Sequence, residues 1–114
     1  MNEGVKTIIF PVTDLGRAKA VFTALLGVDP DSDQPYYVGF NAGGQQIGLD
    51  PNGHRTGMTG PVAYWHVADI AASLKGLVDA GATVKQDAKD VGGGRLIAVL
   101  TDADGNPIGL LQDP

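Results

Sequence analysis

The 114-residue sequence predicts an α+β fold made from two copies of one strand–helix–strand plan. Three observations lead there. Two Asp-led amphipathic segments each run to a glycine: Asp14-Leu15 to Leu26-Gly27, and Asp69-Ile70 to Ala80-Gly81. Short alternating stretches follow each of them, broken by turn residues such as Pro51-Asn52-Gly53 and Asp104-Gly105-Asn106. Each copy also carries an apolar-Gly-apolar triplet, Ile47-Gly48-Leu49 and Ile108-Gly109-Leu110. A repeat of this size cannot bury its own apolar face. The expected organisation is therefore one domain of two tandem modules, about 5–50 and 61–114, joined by a polar connector at 51–60.

The first module opens with a strand from Thr7 to Val12, in which Ile8, Phe10 and Val12 alternate with Thr7, Ile9 and Pro11. Thr13 or Asp14 caps the next helix by accepting a backbone N–H. Leu15, Ala18, Phe22, Leu25 and Leu26 make its apolar stripe. Gly27 ends the helix and Pro30 blocks its continuation. Asp29 to Pro35 reads as loop, and Tyr36 to Asn41 and Gln45 to Leu49 as strands around Gly43-Gly44.

The second module repeats the order. Its first strand, Val62 to Val67, alternates Ala63, Trp65 and Val67 with Val62, Tyr64 and His66. Asp69 caps a helix whose stripe is Ile70, Leu74, Leu77 and Val78. Thr83 to Lys85 is a short extended segment, Gly92-Gly93-Gly94 a turn, Arg95 to Thr101 a strand and Pro107 to Gln112 the last strand. Gly92-Gly93-Gly94 is no phosphate loop, because no Lys-Ser/Thr and helix follow it.

The bulk composition narrows the function classes. Net charge is −5 with no basic run, which argues against nucleic acid as a partner. No stretch reaches the roughly 20 apolar residues of a membrane-crossing helix. Cysteine is absent, which removes disulfides, thiolate nucleophiles and zinc–thiolate sites. Met1-Asn2-Glu3-Gly4 has neither the basic region nor the apolar run of a secretory signal. A cytoplasmic location is the expectation.

Alternation also separates a core face from a chemical face. Ile8/Phe10/Val12, Ala63/Trp65/Val67, Ile47/Leu49 and Ile108/Leu110 are continuously apolar and suit the face beneath the helices. The opposite rows, Thr7/Ile9/Pro11, Gln46/Gly48/Asp50, Val62/Tyr64/His66 and Pro107/Gly109/Leu111, mix polar, aromatic and small residues. A concave surface lined by these rows is where a ligand site is expected. Tyr36, Val38 and Phe40 lie on one side of their strand and Tyr37, Gly39 and Asn41 on the other; the sequence leaves open which side joins the site.

The strand–Asp-Leu–helix–Leu-Gly opening, the Asp79-Ala-Gly-Ala-Thr-Val84 run and the Asp102-Ala-Asp-Gly-Asn106 turn resemble the vicinal oxygen chelate superfamily, the glyoxalase, bleomycin-resistance and extradiol-dioxygenase group. The resemblance spans nearly the whole chain, with Ala103 standing where the turn usually has Pro. It implies paired βαβββ modules curled into a mixed-sheet cup, often completed by a homodimer. Enzymes of the group hold a metal ion with His, Glu or Gln at four cup positions. By register those positions are Thr7, Gly48, Val62 and Gly109, none of which is a competent ligand, so no metal or other cofactor is expected. The two glycines are expected to open space for a larger guest.

Among the other candidates, His66 suits a general base or a hydrogen-bonding contact, or equally a structural histidine. His54 lies in a loop, where solvent exposure is the plainer reading. Tyr64 suits stacking on a planar ligand, Asp50 a cationic group and Arg95 an anionic one. Trp65 is expected to be core. The ligand-contact set is then Thr7, Ile9, Gln46, Gly48, Asp50, Val62, Tyr64, His66, Arg95, Gly109 and Leu111. The expected function is metal-free binding of a small hydrophobic or aromatic molecule, cationic groups being tolerated, as in drug sequestration and antibiotic resistance. The alternative is a glyoxalase-like lyase, isomerase or dioxygenase, and a further possibility is metal-free acid–base catalysis by His66.

Overall fold

A computed structural model describes residues 2–114. In chain order they form β1 (Asn2–Pro11), α1 (Leu15–Leu26), β2 (Ser32–Gln34), β3 (Tyr37–Ala42) and β4 (Gln45–Asp50). After a 3₁₀ turn at Gly53–Thr56 come β5 (Val62–Val67), α2 (Ile70–Asp79), β6 (Thr83–Asp90), β7 (Leu96–Thr101) and β8 (Pro107–Gln112). The chain forms two compact units. One is residues 7–62; the other is residues 63–114 with the start of β1 up to Lys6.

In the first unit the strands run in the order β2-β3-β4-β1. β1 is parallel to β4, with Thr7 opposite Gln46 and Ile9 opposite Gly48. β3 is antiparallel to both β4 and β2. Asp14 starts α1, its carboxylate accepting the Arg17 N–H at 3.0 Å. Gly27 ends it at φ 71°, a left-handed conformation that suits glycine. Val38, Phe40 and Leu49 form the buried centre, with Phe10, Val12, Ile47 and the helix residues Leu15, Ala18, Phe22 and Leu26 packed on it. The Phe10 and Phe22 rings lie 4.9 Å apart between centroids. Val38 pairs with Leu49 and Phe40 with Ile47, and directly opposed residues share a face. That places Val38 and Phe40 beneath α1 and Tyr37, Gly39 and Asn41 on the other side.

Three expectations need correction here. Leu25 is 71% exposed, because the buried side of α1 centres on Leu15, Ala18, Phe22 and Leu26. The stretch expected as loop contains β2, a three-residue polar edge strand with no apolar alternation to reveal it. β1 begins at Asn2, five residues before the alternation becomes apolar.

The second unit has the order β5-β8-β7-β6, with β5 parallel to β8 and β7 antiparallel to β8 and β6. Val67, Ile70, Ala98, Leu100 and Leu110 are buried together, and Leu74, Leu77, Ala82, Val84 and Leu96 pack around them. Asp69 caps α2 by accepting the Ala72 N–H at 3.1 Å. Trp65 is 39% exposed instead of core. It shares a face with Leu110, but α2 packs on β6, β7 and β8. Val78, also expected on the buried stripe, is exposed.

The turn before the last strand is held by one carboxylate. Asp102 accepts the backbone N–H groups of Asp104 and Asn106 and the Asn106 side-chain amide, at 2.9, 2.8 and 2.9 Å. Among the described residues no helix is long and apolar enough to cross a membrane.

Candidate ligand-binding site

The parallel pairs β1/β4 and β5/β8 fix which residues share the face away from the helices. Phe10 and Leu49 pack towards α1, so Ile9 and Gly48, each one residue away and opposite one another, point the other way. In the second unit Leu110 packs towards α2, which sends Tyr64, Gly109, His66 and Leu111 to the opposite side. Thr7, Gly48, Val62, Tyr64, His66, Gly109 and Leu111 are buried; Ile9, Gln46, Asp50 and Arg95 are half-buried.

At both glycines a tyrosine ring takes the space that a side chain would need. A Cβ built on Gly109 lies 2.6 Å from Cδ1 of Tyr64, its register partner on β5. A Cβ built on Gly48 collides with the Tyr37 hydroxyl. Gly48 pairs with Gly39, and Tyr37 stands two residues from Gly39 on the same face of β3, so its ring crosses diagonally. The expectation that these glycines leave open room is therefore wrong: each is the floor beneath an aromatic ring. The sequence marked Tyr64 but left the side of Tyr37 undecided.

The four positions at which the resemblance places metal ligands do not fit a cation. Gly48 and Gly109 have no donor and are roofed by tyrosines, and Val62 is a buried alkyl group. Thr7 offers one hydroxyl, which donates to Oε1 of Gln46 at 3.2 Å. Among the described residues no three His, Asp or Glu side chains gather as a metal-binding group.

A polar cluster occupies the second unit. Asp113 bridges two residues with its two oxygens. Oδ1 accepts the Arg95 Nε–H at 2.8 Å, and Oδ2 lies 3.5 Å from His66 Nδ1. His66 is 6% exposed. Burial holds its pKa below the ordinary 6.5; Asp113 and Glu3 pull it up, Arg95 and Lys6 push it down, and burial prevails. The imidazole is thus neutral near pH 7.

His66 and Arg95 were named from sequence; Asp113 was missed. A signal existed, because Asp113 stands two residues after Leu111 and Leu111 is the register partner of His66. Asp50 has a local role: Oδ1 accepts the Asn52 N–H at 2.8 Å and closes the turn after β4. His54 is exposed in the 3₁₀ turn.

Comparison with known proteins places this geometry. The sequence profile of the Glyoxalase/Bleomycin resistance protein/Dioxygenase superfamily matches residues 4–110. No curated protein sequence matches the chain. Solved structures do. A Legionella pneumophila protein described as an NAD-dependent benzaldehyde dehydrogenase superposes with a TM-score of 0.77 at 15% identity, covering 95% of this chain and 98% of its own. The methylmalonyl-CoA epimerase of Mycobacterium tuberculosis gives 0.73 at 19% identity, over 99% and 89%. A superfamily member from Vibrio splendidus 12B01 gives 0.72 at 16%, over 99% and 100%. These likenesses establish the fold. With βαβββ order in both halves and a family profile matched from residue 4 to residue 110, the chain belongs to the Glyoxalase/Bleomycin resistance protein/Dioxygenase superfamily.

Proposed function

We propose that this protein binds a small hydrophobic or aromatic molecule without a metal ion, on the sheet face that carries Tyr64, His66, Gly109 and Leu111. The observation that supports this most is the pair of tyrosine-roofed glycines at two of the four ligand positions of the family. Neither a glycine nor the ring packed over it supplies a donor set for an ion. Sequestration needs affinity alone, so a drug- or metabolite-holding role in the cytoplasm, carried out by a homodimer, is consistent with this surface. Native mass spectrometry of the purified protein tests the reading. A co-purifying organic molecule released on unfolding is the expected result, and a stoichiometric divalent cation in its place overturns it.

A second reading has its own support, the placement of Asp113 at 3.5 Å from His66 Nδ1. A neutral imidazole beside a carboxylate suits metal-free proton transfer. Under this reading His66→Ala abolishes turnover and leaves ligand affinity largely intact. Loss of affinity with no turnover to lose favours the binding role.

A further inference from the structure

The two helices of this repeat present different outer faces. Counted from their capping residues Asp14 and Asp69, Ala20 and Ala24 of α1 occupy the places of Lys75 and Asp79 of α2. On α2 those two form an exposed ion pair at 3.0 Å, one turn apart on a solvated surface. On α1 the same surface is apolar. Val21 is 64% exposed and Leu25 71%, and exposed Val28 follows just past the helix end. Two rows of four-residue spacing result. Gly16, Ala20 and Ala24 make a small, exposed row, and Val21 and Leu25 make a large row beside it. Lys19, at the edge of the small row, is held to Asp33 at 2.9 Å. Along that edge runs a groove of about 440 Å³, between Gly16, Ala20 and Thr23 on the helix and Asp29 and Asp33 beyond it.

A contiguous exposed apolar row on the outside of a helix marks a contact with another protein, and the charges around this one fit a second copy of the same chain. Arg17 stands at the start of the large row, one turn before Val21, and Asp29 lies just past its end. Among the described residues neither is engaged in an ion pair. We propose that α1 is a self-association surface, on which α1 of a second copy packs antiparallel about a two-fold axis level with Thr23. Val21 then opposes Leu25 of the second copy, and Arg17 comes to Asp29 of the second copy, because both pairs are centred on Thr23. The two-fold axis makes every contact twice. The large row of each copy enters the shallow row of Gly16, Ala20 and Ala24 on the other, as a ridge enters a groove. A parallel pair would instead set Arg17 against Arg17 and Asp29 against Asp29, so the charges select the antiparallel arrangement. α1 covers Phe10 and Leu49, which point away from Ile9 and Gly48. The contact thus gives the homodimer suggested above its surface and leaves the ligand face unused.

Sedimentation velocity of the intact chain, from about 10 μM to about 1 mM, tests this. One helix face from each copy makes a small interface, so the wild type is expected to pass from monomer to dimer within that range. Leu25→Glu should weaken the dimer about tenfold or more. Because Leu25 is exposed, dilute Leu25→Glu should keep the Tm of dilute wild type, which separates a lost contact from a lost fold. Arg17→Glu and Asp29→Lys should each weaken the dimer by about fivefold, since like charges then meet at both ends. Mixing these two variants should restore it, because Glu then meets Lys at one end and Arg17 meets Asp29 at the other. A wild type that stays monomeric throughout overturns the interface and leaves the metal-free binding role standing. A dimer that Leu25→Glu does not weaken lies on another surface and overturns it as well. A mixture that associates no more tightly than either variant alone overturns the antiparallel pairing.

Discussion

Tyr64 and Gly109 stand opposite one another in the parallel register of β5 and β8, and the tyrosine ring lies over the glycine where a Cβ would be. The contact is tight against backbone as well, for the same Cβ would meet the Ala63 carbonyl oxygen at 2.8 Å. Tyr64 is 5% exposed and has little freedom to swing aside. Gly109→Ala should therefore destabilise the protein by about 1–3 kcal/mol through overpacking. Gly48→Ala should cost less, because it meets the end of the half-buried Tyr37 side chain, which can move. Urea denaturation of the two variants compares them directly. An equal or reversed order would show that the Tyr64 ring yields as readily as that of Tyr37.

The pKa of His66 should respond in opposite directions to its two charged neighbours. Asp113 pulls it up and Arg95 pushes it down. Asp113→Asn is thus expected to lower it further, and Arg95→Gln to raise it. Imidazole chemical shifts followed through a pH titration report both. A His66 that titrates unchanged in Asp113→Asn would mean that the carboxylate does not act on the ring in solution.

Stability should follow the same group. The folded protein holds His66 below the ordinary 6.5, so between that value and its folded pKa the unfolded chain binds more protons. Stability accordingly falls as pH drops below about 6.5, and the loss is complete below the folded pKa. His66→Gln removes this component. Denaturation midpoints measured from pH 7.5 to 5 should decline less steeply in the variant than in the wild type, and parallel declines would assign the acid sensitivity elsewhere.

The repeat, the two capped helices and the helix-facing rows were legible because they rest on local chemistry. Asp14 and Asp69 cap helices wherever such an apolar stripe follows, and Phe10, Leu49 and Leu110 lie where period-two alternation puts them. What escaped depends on contacts distant in sequence. β2 exists only because Ser32–Gln34 finds β3, and nothing in Ser-Asp-Gln announces a strand. Trp65 looks like core until the lateral position of α2 is known. Gln86 appeared to lie past the end of a short strand, because the bulge at Lys85 breaks the alternation that would have marked β6 as continuing. Asp113 follows the last strand and gains its meaning only from Arg95 and His66. The glycines were read as space because a sequence shows what a residue lacks and not which neighbour fills the gap.

The central claim is that this member of the superfamily works without a divalent cation, and metal analysis of the purified protein tests it most directly. The chain is incubated with excess Ni²⁺, Zn²⁺, Mn²⁺ or Fe²⁺, dialysed, and assayed for metal per chain and for any shift in Tm. The account predicts far less than one ion per chain and an unmoved Tm for each. One tightly held ion per chain, lost when Thr7 and Gln46 are replaced by alanine, would contradict it.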